Sequence, residues 1–191
     1  MAPKKSKAAQ EAPKEKPPPA AIAPPLTNED LTVLQQTTGF NSAELNWIHR
    51  IYAPCVTPDD TSRAHYKTLG ATPELTVHPL IERVLLMHNE DKSGQLSFGE
   101  FANAMRSLGA RATLEQKLRF VFDLFDMNGS GSIQTVEMFQ ILRMMLGRAV
   151  SDGALQEITD NYLRRFPSGL TFDVFSQMFD VADLNKVVLS L

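Results

Sequence analysis

"DMNGSGSIQTVE", residues 126–137, alternates carboxylate, amide and hydroxyl side chains, carries a glycine at its centre and closes on a glutamate. Calcium is a hard cation that takes six to eight oxygens, and a 12-residue loop can present them from positions 1, 3, 5, 7, 9 and 12. In this register the ligands are Asp126, Asn128, Ser130, the backbone carbonyl of Ser132, Gln134 through a water, and Glu137 with both oxygens. Gly131 falls at position 6, where the chain must turn sharply. Ile133 falls at position 8, where paired loops of this kind share a short β-bridge. Upstream, "TLEQKLRFVFDLF" places Leu118, Val121, Phe122 and Phe125 on one helical stripe. Downstream, "VEMFQILRMMLG" repeats the pattern and stops at Gly147, a good helix terminator. The stretch reads as a helix, a calcium loop and a second helix.

"NEDKSGQLSFGE" (89–100) repeats the register with Asn89, Asp91, Ser93, the Gln95 carbonyl, Ser97 and Glu100, and with Gly94 and Leu96 at the turn and bridge. Asn89 is the departure, because position 1 is nearly always aspartate, and a neutral amide there lowers affinity. Two readings stand: a weaker calcium site, or a structural loop held by its own hydrogen bonds. Such units pack in pairs, which predicts two more. "TPDDTSRAHYKT" (57–68) has the length and flanks, but Thr57 opens it, Ser62 replaces the glycine and Thr68 the closing glutamate. "GLTFDVFSQMF" places Leu170 at a bridge and Val174 where the glutamate belongs, after a short basic "RRFPS". Neither is expected to bind metal. Each intact loop offers two formal carboxylates, which points to calcium binding on the order of micromolar rather than nanomolar buffering.

The whole is expected to be all-α: four helix–loop–helix units in two paired lobes, residues 27–109 and 110–191, with two loops degenerate. Thr27 and Asp30 sit at capping-box spacing ahead of the first helix, and Asn41 or Ser42 caps a second that carries Leu45, Ile48 and Tyr52. Residues 1–26 differ. They hold five lysines, two glutamates and seven of the twelve prolines, so a basic, disordered tail joins an acidic body in a chain of net charge −3. That tail is a solvated linker or a contact for an acidic surface. The overall balance argues against generic nucleic-acid binding, and no sequence-specific nucleic-acid partner is expected. No apolar run reaches the ~20 residues of a membrane span, and Ala2 stands where N-myristoylation needs glycine. Cys55 is the only cysteine, which excludes an intrachain disulfide and fits a cytoplasmic setting.

No nucleophile–base constellation or phosphate-cradling loop is present, so an enzyme is not expected. His49, His65, His78 and His88 show no zinc-ligand spacing. Met87, Met105, Met138, Met144, Met145 and Met178 lie on or beside the predicted helices. Polarizable, adaptable methionine suits a groove that accepts an amphipathic helix of a protein partner, although any one of the six also suits a core.

"PELTVHPLIERV", "EQKLRFVFDLFDMNGSGSI" and "MFQILRMMLG", in that order and spacing, resemble the four-EF-hand regulatory subunits of the calcineurin B type. Their cousins are the calcineurin-B-homologous and the calcium- and integrin-binding proteins. The resemblance covers Thr27 to Leu191. It implies a non-catalytic subunit gripping a helix of a calcineurin A-like phosphatase. The chain departs from that pattern in its two dead loops and in Ala2. Those departures and the basic tail also suit a structural component of a cytoskeletal or ciliary assembly.

Overall fold

The computed structural model describes residues 23–57, 60–109 and 113–178. Helices α1 (Asn28–Thr38) and α2 (Ser42–Tyr52) lead through a 3-10 turn (Ala53–Cys55) into strands β1 (Val56–Thr57) and β2 (Asp60–His65). Helices α3 (Tyr66–Gly70) and α4 (Ile81–Met87), strand β3 (Gln95–Ser97) and α5 (Phe98–Leu108) complete the first half. The second half runs α6 (Leu114–Phe125), β4 (Ser132–Ile133), α7 (Thr135–Leu146), α8 (Asp152–Leu163), β5 (Leu170–Thr171) and α9 (Phe172–Ser176).

The helix starts follow from local chemistry. Thr27 and Asp30 close a reciprocal capping box, the Asp30 N–H donating to Thr27 Oγ1 (3.1 Å) and the Thr27 N–H to Asp30 Oδ2 (3.0 Å). Asn41 does the same with Glu44, Ser97 with Glu100 and Thr113 with Gln116. Each box satisfies backbone donors that the first helical turn leaves without partners.

Two small antiparallel bridges tie the units into pairs. Ala64 pairs with Leu96 in the first, and Ile133 with Leu170 in the second. All four side chains are buried and seed the two apolar cores. In the first pair the degenerate stretch is a hairpin rather than an open ligand loop: β2 pairs with β1 on one side and β3 on the other. The backbone of this stretch satisfies N–H and C=O groups through strand pairing. Tyr52 anchors that sheet to α2, its hydroxyl lying 2.8 Å from both the Ser62 and Leu96 carbonyls.

The first core gathers Ile48, Leu69, Val84, Leu85 and Phe101, and takes in Leu124 and Ile141 from the second half. The second gathers Leu118, Val121, Phe122, Ile133, Leu163 and Phe175. Helix α6 therefore serves both: Leu118, Val121 and Phe122 face one core and Leu124 the other. The predicted lysine- and proline-rich disorder over residues 1–22 lies outside the described residues. At its end Ala23 is buried, and its N–H lies 3.5 Å from the Ala53 carbonyl. Next to it His49 packs edge-on to Phe98. Burial pushes that imidazole below its ordinary pKa, and a hydrogen bond with the Pro24 backbone acts in the opposite direction.

Tyr52→Phe removes the one hydroxyl donor that the Ser62 and Leu96 carbonyls share. The expected loss is about 1–2 kcal/mol, measured by urea unfolding with the slope unchanged.

Candidate metal centres

The loop at 126–137 is preorganised around two buried carboxylates. Asp126 and Glu137 are 7% and 6% exposed, unusual for acidic side chains. The N–H groups of Ser130 and Gly131 donate to Asp126 Oδ1 (2.9 Å) and Oδ2 (2.8 Å). Those of Asn128 and Gln134 donate to Glu137 Oε1 (3.1 Å) and Oε2 (2.9 Å). Glu137 thus spans the loop, holding its third and ninth residues against the start of α7. Asn128 Oδ1 accepts from the Ser130 N–H (2.8 Å), and Ser130 Oγ lies 3.0 Å from the Ser132 carbonyl. Asn128 and Ser130 are exposed, so the carboxylates form a floor beneath a solvent-facing rim. The bend needs left-handed backbone at Gly129 (φ 69°) and Gly131 (φ 83°), where a Cβ would be strained.

The oxygens of this loop fit a calcium ion. Two buried anions need compensation, because burying a carboxylate without a partner is costly. The cation that reaches them is Arg83 of α4. It is half-buried and donates through Nε to the Leu124 carbonyl (3.3 Å) and through Nη2 to those of Asp123 (3.3 Å) and Asp126 (3.4 Å). It thereby caps the C-terminus of α6, where carbonyls crowd and positive charge is favoured. Burial lowers the Arg83 pKa, opposed by the charges of Glu137 and Asp126. One guanidinium against two carboxylates leaves the neighbourhood anionic.

The loop at 89–100 has the same backbone course with different occupants. Gly94 (φ 78°) takes the place of Gly131, and Lys92 (φ 56°) that of Gly129, a less comfortable residue for left-handed backbone. Glu100 accepts from the Glu90 and Ser97 N–H groups (3.0 and 2.7 Å), much as Glu137 does. Burial pushes its pKa up, but those hydrogen bonds outweigh it and hold the carboxyl below its ordinary value. The difference lies at the opposite wall. Asn89 is buried, and its Nδ2 donates to Asp91 Oδ1 (2.9 Å) and the Gln95 carbonyl (3.0 Å). Arg63 Nη1 donates to Asp91 Oδ2 (2.7 Å) and to the same carbonyl (2.9 Å). Hydrogen bonds from Ser93, with the charge of Arg63 and the amide of Asn89 adding, hold Asp91 down to about 2.

The six methionines separate. Met87 and Met105 pack on the first core and Met138 on the second. Met144, Met145 and Met178 are exposed, and Met178 Sδ accepts from the Tyr162 hydroxyl (3.0 Å). An apolar cleft of about 580 Å³ opens instead beside α2, lined by Phe40, Trp47, Ile48, Leu75, Met105 and Leu108. Trp47, which belongs to none of the sequence motifs, is 55% exposed at its edge. A hollow of about 680 Å³ between α5 and α6 is lined by polar groups such as Asn103, Arg106 and Lys117, and suits an apolar helix face less well. The histidines are dispersed, and no cluster of three His, Cys, Asp or Glu side chains occurs among the described residues.

Paired helix–loop–helix units joined by loop-to-loop bridges define an EF-hand protein. No family model matches the chain. It is 31% identical over 135 residues to the type 1 calcineurin B protein of Dictyostelium discoideum, covering 71% of this chain and 74% of the relative. Over 171 residues it is 29% identical to the calcineurin B protein of Naegleria gruberi, covering 87% and 96%. Over 137 residues it is 31% identical to the type 2 calcineurin B protein of Bos taurus, covering 70% and 81%. The chain belongs to the calcineurin B-like family of EF-hand proteins.

Arg83→Met keeps the packing of α4 but removes the cap on α6. A stability loss of about 1–2 kcal/mol is expected, read by chemical denaturation in the presence of chelator.

Proposed function

We propose that the chain is a calcium-binding regulatory subunit, without catalysis of its own, that grips an amphipathic helix of a calcineurin A-like phosphatase. The observation that carries this reading is the pair of buried, hydrogen-bonded carboxylates Asp126 and Glu137 at the floor of an exposed oxygen-rich rim. Asp126, Asn128, Ser130, the Ser132 carbonyl and Glu137 would hold the ion, with Gln134 acting through water. Calcium supplies the positive charge that the buried pair lacks. Glu137 connects the loop to the first turn of α7, so a ligand drawn onto it bears on that helix directly.

The cleft beside α2 supports the binding half of the reading. An aromatic side chain at the mouth of an apolar cleft is the kind of residue that dominates helix-in-groove interfaces. Membership of the calcineurin B-like family supplies the class of partner. The exposed Met144, Met145 and Met178 offer a second apolar surface on the other half. The relatives lend no support to the cytoskeletal or ciliary reading. Among the described residues no helix is long and apolar enough to cross a membrane.

Capture from native lysate is expected to recover a phosphatase catalytic chain; recovery of none, with calcium or with chelator, overturns the reading. Trp47→Ala, at an exposed position, is expected to leave the unfolding midpoint nearly unchanged while weakening that capture by at least about tenfold. For the ion, Glu137→Gln is expected to remove most of the calcium affinity seen by calorimetry, and unchanged binding refutes the assignment.

A further inference from the structure

The two loops share a backbone frame, and what differs is what points into them. In the second EF-hand pair, the residue before the bridging Leu170 is Gly169, so the partner strand contributes no side chain there. In the first, the residue before the bridging Ala64 is Arg63, which pairs in register with Ser97. The bridge therefore aims a guanidinium from the degenerate 57–68 stretch into the neighbouring loop. It lands on Asp91 Oδ2 at 2.7 Å and on the Gln95 carbonyl at 2.9 Å. These are the oxygens at positions 3 and 7 of that loop. Asn89, at position 1, turns its Nδ2 toward Asp91 Oδ1 and the same Gln95 carbonyl, while its Oδ1 accepts from the Gly94 N–H (2.7 Å).

We infer that Arg63 is the resident cation of the 89–100 loop, taking with the Asn89 amide the place that a metal ion holds in a calcium loop. Three oxygens that would face an ion, both of Asp91 and the Gln95 carbonyl, face N–H donors. The donor set does not fit calcium: positions 1 and 3 offer one carboxylate between them, and that carboxylate is already paired with a fixed positive charge. A divalent ion would have to displace the guanidinium, which returns no charge to the loop, and would meet the donor face of an amide at position 1. The first lobe accordingly keeps its shape at any calcium concentration, and calcium acts on the second lobe alone. Charge-assisted hydrogen bonds from one side chain to two loop oxygens replace the ion's role of holding the loop closed.

The inference depends on the reading of 126–137 as a calcium loop only so far as that loop must be silenced to read its neighbour. The test is calorimetric titration of the full chain with calcium chloride in a Glu137→Gln background. That single variant leaves the 89–100 loop untouched and is expected to show no binding tighter than roughly millimolar. Adding Asn89→Asp alone is expected to change little, since Arg63 still occupies the loop. Adding Asn89→Asp and Arg63→Gln together is expected to create a one-to-one site at least about tenfold tighter, and to raise the thermal midpoint on calcium addition. Micromolar binding in the Glu137→Gln variant, or no site in the triple variant with its helical signal intact, overturns the inference. Should Arg63→Gln fail to fold, the Glu137→Gln and Asn89→Asp arms still decide it. A wild-type chain that binds no calcium would refute the proposed function and leave this inference standing.

Discussion

The loop-to-loop bridge is the constraint on which the molecule depends. Ala64 with Leu96 and Ile133 with Leu170 are single pairs of buried residues, yet each fixes how two helix–loop–helix units face one another. A strand pairing admits no continuous adjustment: a slip by one residue would turn a core side chain to solvent. Because the register is fixed, the identity of the residue one step before the bridge decides what enters the neighbouring loop. In one pair that residue is an arginine and in the other a glycine. The electrostatic difference between the two lobes starts there.

Charge then follows burial. The 89–100 loop has its cation built in, through a bond that is partly exposed and directed at Asp91. The 126–137 loop buries two carboxylates, and the guanidinium of Arg83, whose charge couples to both, is committed to the carbonyls ending α6. One loop pairs its outer carboxylate with an arginine, and the other keeps two buried carboxylates on backbone N–H groups. Arg83 also joins the two halves: it leaves α4 in the first and ends on the α6 carbonyls of the second, while Leu124 and Ile141 of the second half pack into the first core.

Much of this was legible in the sequence, for reasons that can be named. A 12-residue ligand register is rigid, so the turn glycines Gly94 and Gly131 and the bridge residues Leu96, Ile133 and Leu170 could be placed by counting. The capping box at Thr27 and Asp30 is local chemistry and appears as expected. The role of Arg63 was not legible. It lies 28 residues from Asp91 and inside a stretch that reads only as a lost site; the strand pairing alone brings the two together. Arg83 was hidden the same way, 41 residues from Leu124. The methionines show the limit of composition. Helical spacing does not say that Met87, Met105 and Met138 turn toward cores while Met144, Met145 and Met178 stay outside. Trp47 in "ELNWIHR" stands beside the core residues Leu45 and Ile48 and reads as one more apolar helix position, and only the arrangement of α2 against α5 reveals the cleft it overlooks.

On the proposed reading, the 126–137 loop responds to calcium and the 89–100 loop does not. Two backbone amides report on it directly, because Gly131 N–H donates to Asp126 and Gly94 N–H donates to Asn89. Calcium titration followed by amide proton–nitrogen correlation spectra of the full chain would track both. The Gly131 resonance is expected to move and saturate at one equivalent while the Gly94 resonance stays in place. Movement of both through two equivalents, or of Gly94 alone, would contradict that reading.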